Sequence, residues 1–354
     1  MSSNLLAVPK QAKYKVICEK LRSQILCGEL PVGSKLPSQS ALVKTYGVSL
    51  LTVRQSIDSL VKSDLVQPEH GRGVFVKAVN GKHLLKKTVK VVLCGEDITL
   101  AANNEFLRGV TDNGRLRDVE IKLEMLSEHE LKQDGVLAKA VVGANGAILA
   151  GVVYPSYFKN IPSDVNIVLA VFPIEEDSHL NISSIVPDSE SAGYLAAQQL
   201  HCFKHRGVAL VVGDTAYYWL VRRGFERACF EYNMATPKVF VIKCPSDEQE
   251  TARKIADDPS IGGIVVVGDQ RSCRLIDFLA RHNCRVPDSK SVLSIGGLPR
   301  KILSIPNIAR INANIRQLGH EAVNVALDSS GLIIKKLLPP SIESGGTVAV
   351  ASKN

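Results

Sequence analysis

Basic side chains crowd the start of this 354-residue chain. Residues 1–90 hold 15 Lys or Arg against five Asp or Glu, a formal +10, while the other 264 residues hold 28 against 30. The net charge of +8 therefore arises in the first quarter, which marks that part for a polyanionic partner. Lys13, Lys35, Arg54 and Arg72 stand near Ser38, Ser49 and the turn His70-Gly71. Cations beside residues that open helices and tight turns suit phosphate, which takes charge and helix N-terminal N–H groups together. A second group of residues has a different chemistry. Tyr217-Tyr218-Trp219 contains the chain's only Trp and follows Gly213-Asp214. Aromatic faces with nearby amide and charged groups grip sugars, because each ring hydroxyl needs a donor or acceptor. Asp97, Asn104 and Asp269 follow short β-branched runs and suit the same task. Capping the next helix is an equal alternative for Asp269.

Neither group has the spacing of a catalytic centre. No G-x-S-x-G, Walker loop, G-x-G-x-x-G or H-E-x-x-H occurs, so the expectation is a binding protein without enzymatic activity, metal or cofactor. The eight cysteines are scattered with no C-x-x-C pair, which suits a reduced, cytoplasmic protein. The longest apolar stretch, 140–154, is interrupted by Asn145 and three glycines, and the N-terminus lacks a signal-peptide pattern, so no membrane association is expected.

The elements that must position the basic group are legible. Ile17, Leu21 and Ile25 recur at four-residue spacing, one face of a helix. Ser38 can cap a short helix through Tyr46, Gly47-Val48 makes a turn, and Ser49 can cap a helix striped by Val53, Ile57, Leu60 and Val61. Residues 65–68 and 73–76 read as strands flanking a glycine turn. This order, three helices and a hairpin, is that of a winged helix-turn-helix whose third helix enters the major groove of double-stranded DNA. The run from Gly28 through Leu30, Gly33 and Leu36-Pro37-Ser38 resembles the G-x-L-x-x-G-x-x-L-P-S signature of GntR-type regulators. Gly47-Val48-Ser49, Thr52-Val53-Arg54 and Gly71-Arg72-Gly73 continue it in register. The resemblance implies that Thr52 joins the DNA contacts. It also assigns DNA-touching positions to Ser40 and Leu50, where the family usually has Arg, so an altered contact set is expected.

Residues 78–88 read as a polar linker between a domain at 1–77 and one at 89–343, with a C-terminal tail at 344–354. From Val89 onward, β-branched runs alternate with amphipathic helices, the pattern of parallel sheets covered on both faces. Ligands of such sheets bind beyond the carboxyl ends of the strands. Phe106-Leu107-Arg108-Gly109-Val110, the stretch 186–208, Arg223-Gly224-Phe225 and 311–319 resemble the two-lobed, periplasmic-binding-protein-like effector domain of LacI/GalR regulators. The expected architecture is an N-terminal winged helix-turn-helix (α+β) followed by an α/β two-lobed domain. A GntR-type reader on such a sensor resembles the bacterial arabinose repressor group. That resemblance puts the 217–219 loop, Arg222 or Arg223, and Asn314 at the effector cleft. Gly297 stands where the family has a sugar-binding Asp, which departs from the pattern.

The resulting expectation is a homodimeric repressor that binds a two-fold operator and responds to a small metabolite, a sugar or sugar derivative. The alternative is a DNA-binding regulator whose second domain no longer binds ligand and serves only as a dimerisation scaffold.

Overall fold

The computed structural model describes residues 10–26, 29–77, 87–95, 100–151, 154–163, 165–170, 181–214, 218–328 and 330–351. The chain divides into two compact units, Met1–Lys86 and Lys87–Asn354. Most of the expected linker lies outside the described residues.

The first unit contains α1 (Lys10–Leu26), α2 (Gln39–Tyr46), α3 (Leu50–Lys62), β1 (Val66–Glu69) and β2 (Gly73–Val76). Its core is built from the predicted stripes: Ile17, Leu21 and Ile25 of α1 meet Val53, Ile57 and Leu60 of α3. Leu36, Leu42 and Val76 close that core. Ser38 caps α2 and Ser49 caps α3, each accepting a hydrogen bond from the backbone N–H three residues on. Gly47, at φ 60°, makes the tight exit from α2 that lets the chain reverse into α3. The strands β1 and β2 pair antiparallel, and Lys35 adds a bridge to Phe75.

The second unit runs β3 (Thr88–Cys94), α4 (Leu100–Leu116), β4 (Glu120–Leu126), α5 (Glu128–Leu131), α6 (Val136–Val141), β5 (Gly146–Gly151), β6 (Asn166–Ala170) and β7 (Ser183–Pro187). It continues with α7 (Ser189–Cys202), β8 (Val208–Gly213), α8 (Tyr218–Glu231), β9 (Lys238–Ile242), α9 (Pro245–Ala256), β10 (Gly263–Val267), α10 (Asp269–Arg281) and β11 (Ser291–Gly296). It ends with β12 (Ala309–Asn312), α11 (Ile315–Ala326), β13 (Lys335–Leu338) and β14 (Ser341–Glu343). Two six-stranded sheets result, ordered β13-β7-β6-β5-β3-β4 and β14-β12-β11-β10-β8-β9. Among the described residues of these two sheets all pairings are parallel except β12 with β14. The central strands β5 and β8 are buried along their whole length, which is why they read as continuous apolar runs.

The chain passes between the two lobes three times. It goes from β7 to α7, returns from β12 to α11, and crosses again from β13 to β14. Each lobe is clasped by one helix pair at a glycine contact. A Cβ on Gly109 or Gly319 would collide with backbone of the opposite helix, so α4 and α11 approach closely. Gly193 and Gly224 do the same for α7 and α8. The expected tail at 344–354 is instead part of the second lobe as far as it is described. Thr347 is buried and bonds Val292 and Ala309, Val348 packs on the lobe core, and Ala351 N–H donates to Phe203.

Candidate functional site

In the first unit, the N-terminal ends of α2 and α3 and the turn between β1 and β2 carry the predicted side chains. Ser38 and Ser49 spend their hydroxyls on the caps, at 3.1 Å from Ala41 N and 3.3 Å from Thr52 N. Ser40, Leu50 and Arg54 are exposed. Arg54 Nε donates to Gln39 Oε1 at 3.3 Å, so the first turn of α2 aims the guanidinium. Sequence patterning gave no sign of this pair, because its members stand 15 residues apart. Thr52 corrects the expectation. It is only 7% exposed and its hydroxyl lies 2.8 Å from that of Ser49, so it braces the cap and presents little surface.

At the wing, Gly71 takes φ 72°, which places exposed His70 and Arg72 at the tip. Arg72 pairs with Glu69 at 2.7 Å and its guanidinium lies 5.6 Å from the Phe75 ring centre. Such an exposed pair is worth at most about 1 kcal/mol, so a phosphate can displace Glu69. Lys35 is exposed and its stem runs over Gly73 of β2. The side chain of Lys13 lies outside the described residues.

In the second unit, the predicted charged residues that are described are engaged with other charged groups of the protein. Trp219 is 43% exposed, and the Arg223 guanidinium lies 5.1 Å from its ring. Arg223 Nε donates to Glu190 at 2.9 Å, and Arg227 pairs with the same carboxylate at 2.6 Å. Arg222 pairs with Glu226 at 2.6 Å, one turn along α8. Tyr218 is half-buried on the core of its lobe, and Asn104 is exposed on α4. Asp97 and Tyr217 lie outside the described residues.

Two predicted cleft residues have structural duties instead. Asp269 is 2% exposed. Its carboxylate accepts from Ser294 Oγ at 2.7 Å, Leu298 N at 2.8 Å and Arg310 Nη1 at 3.3 Å. It neither meets solvent nor caps α10. Gly296 makes room for the carboxyl, since any Cβ there would collide with it. Arg310 also bonds Glu343 at 2.8 Å, and Asn312 donates to Glu343 as well. Burial pushes the Glu343 carboxyl up, but those bonds outweigh it and hold it below the usual range. Asn314 pins two lobe crossings together: its amide donates to Pro339 O at 3.0 Å and accepts from Ser341 Oγ at 3.2 Å.

Beside these residues a cavity of about 740 Å³ opens at the carboxyl ends of β11 and β12. Arg108 and Asp112 of α4, Gly297, Lys301, Asn312 and Arg316 of α11 line it, so both lobes contribute. Arg316 pairs with Asp112 at 2.7 Å and holds that carboxyl below its usual range. Among the described residues no cluster of His, Cys, Asp and Glu could hold a metal, and no helix is long and apolar enough to cross a membrane.

Comparison with known proteins agrees with this arrangement. Residues 13–76 match the model of the gntR family of bacterial regulatory proteins, and residues 197–333 match that of the periplasmic binding protein-like domain. An arabinose metabolism transcriptional repressor of Halalkalibacterium halodurans is 22% identical over 92% of this chain and 89% of its own. The mannosyl-D-glycerate transport/metabolism system repressor MngR of Escherichia coli is 42% identical over 64 residues, 18% of this chain and 27% of that protein. A LacI family transcriptional regulator from Enterococcus faecium, solved with bound ribose, superimposes at a TM-score of 0.62 and 18% identity over 75% of this chain and 100% of its own. The chain therefore carries a DNA-binding domain of the gntR family of bacterial regulatory proteins, joined to a periplasmic binding protein-like domain with the fold of LacI-type regulators.

Proposed function

We propose that this protein is a transcriptional repressor of sugar metabolism, which binds a two-fold operator as a homodimer and takes a sugar between the lobes of its second unit. The observation that carries the reading is the combination of a basic winged helix with two lobes joined by three crossings around a polar cavity. Ligand bound across the lobes closes them about the crossings, and closure alters the spacing of two winged helices. Relatives that align along most of their length are named as repressors of arabinose metabolism, and LacI-type neighbours were solved with ribose or glucose bound.

In this reading Ser40, Leu50, Arg54, His70, Gly71, Arg72 and Lys35 face the operator. Asn104 and Arg316, with Trp219 and the arginines beside it, supply cleft polarity, since these side chains are exposed and a sugar hydroxyl can displace a surface partner. Asp269 and Asn314 are left out of the sugar set because their polar atoms are already bonded. Dimerisation uses the edge strand β4, whose Leu123 and Met125 are exposed. A two-fold antiparallel ladder centred on Leu123 sets Lys122 opposite Glu124 of the partner subunit, twice over.

The test is a thermal shift assay of the intact protein against a panel of pentoses, hexoses and their derivatives. A cognate sugar at a hundred times its Kd stabilises the native state by about 2.7 kcal/mol. It also changes operator affinity. Flat melting curves across the panel would instead favour the ligand-free scaffold.

A further inference from the structure

We propose that Leu50 and Leu51 read thymine methyl groups in the operator, an inference that rests on the DNA-reading function above. The helix α3 buries Thr52, Val53, Ser56, Ile57 and Leu60 against the core of its unit. The opposite face of an amphipathic helix is ordinarily polar. Here that face carries Arg54, Gln55, Asp58 and Lys62, but it begins with two leucines that are 44% and 64% exposed. They sit in the first turn, directly after the Ser49 cap and one turn before Arg54. Lys44 and Lys35 are exposed on the same small unit, which belongs to the part of the chain carrying the formal +10.

Phosphate and sugar offer nothing to a leucine. A helix entering the major groove by its N-terminal end meets base edges there, and the apolar group on those edges is the thymine C5-methyl. The adjacent guanidinium of Arg54 is held by Gln39 and supplies the polar contact one turn further on. The geometry thus assigns the first turn of α3 to A·T pairs presenting methyl groups, with discrimination arising from apolar burial. Burying one methyl contributes about fourfold in affinity. A dimer burying one in each half-site gains about fifteenfold.

The experiment uses the full-length protein and an operator recovered from genomic DNA. Each thymine is replaced in turn by deoxyuridine, which keeps base pairing and removes only the methyl group. The expected result is a loss of about fourfold for each contacted methyl, confined to two or three positions per half-site. The Leu50→Ser and Leu51→Ser variants, made singly, bind thymine and uracil operators equally at the position that each leucine reads. Equal binding of both operators by the wild-type protein overturns the proposal while leaving the DNA-reading function intact. So does a change of oligomeric state in the leucine variants without any uracil effect, since that makes the pair a protein contact. Failure of the wild-type protein to bind any DNA overturns both this inference and the reading beneath it.

Discussion

The winged helix and the inter-lobe region treat their charges in opposite ways. On the first unit, Arg54 and Lys35 are exposed, and Arg72 is paired with a neighbouring glutamate that solvent reaches. In the second unit, the groups most suited to a ligand are bonded inside the protein: Asp269 to Arg310, Asn314 to two crossings, and Arg223 to Glu190. A surface that meets a polyanion keeps its cations in water and yields them to phosphate. A hinge between lobes needs its charges to hold a geometry. The same residue types are therefore bonded inside the protein in the second unit and left in water on the first.

The largest effect expected from this contrast is on the salt dependence of DNA binding. A dimer making six to ten phosphate contacts should lose roughly 10³–10⁵ in affinity between 50 and 200 mM salt. Fluorescence anisotropy with a labelled operator measures it, and an affinity independent of salt would remove the polyanion surface from the account. Next in size is Asp269→Ala. Removing this buried carboxylate leaves Arg310 with the carboxylate of Glu343 alone and strands the Ser294 hydroxyl and the Leu298 N–H, which should cost about 3–5 kcal/mol of unfolding free energy. Chemical denaturation reads this, and a near-neutral result would return Asp269 to the candidates for ligand contact.

Arg54→Ala comes third. It should weaken operator binding by about 1–3 kcal/mol while leaving the melting temperature unchanged, since the side chain is exposed and makes one surface hydrogen bond. A smaller effect is expected at the β4 edge. Lys122→Glu or Glu124→Lys alone should weaken the dimer by about 0.5–1 kcal/mol per cross-strand pair, and the double exchange should restore it. Sedimentation equilibrium distinguishes restoration from simple loss.

The smallest effect concerns His205. Its Nε2 lies 2.9 Å from Ser291 Oγ and 3.1 Å from Ala349 O, and burial depresses its pKa below 6.5. As pH falls through 6.5 the unfolded chain takes up the proton before the folded chain does, so unfolding is favoured as pH falls. Stability contributed by the neutral ring is complete above that pH. His205→Gln should flatten the decline in melting temperature between pH 7 and 5 relative to the wild type.

Most of the architecture was legible because its causes are local. The strands of the sheet centres are apolar without interruption, and α3 shows its buried face at helical spacing. The edge strands β13 and β14 escaped notice because only Leu338 is buried between them. The strand β12 was hidden by Arg310, a charge whose burial is explained by Asp269, 41 residues earlier, and Glu343, 33 residues later. The candidate sites divide in the same way. Caps and turns around Ser38, Ser49 and Gly71 follow from neighbours in sequence, whereas Thr52 gave no local sign that its hydroxyl braces a cap. Asn314 lies 25 residues from the carbonyl that it binds, and no periodicity announces such a bond.

The central claim is that the basic winged helix reads a specific duplex for a sugar-controlled pair of lobes. Selection of genomic DNA fragments by the purified full-length protein tests it most directly. The account predicts enrichment of one two-fold sequence, rich in thymine where the first turn of α3 enters each half-site, near genes for sugar uptake or breakdown. Enrichment without two-fold symmetry, or no enrichment with and without the sugar panel, would contradict it.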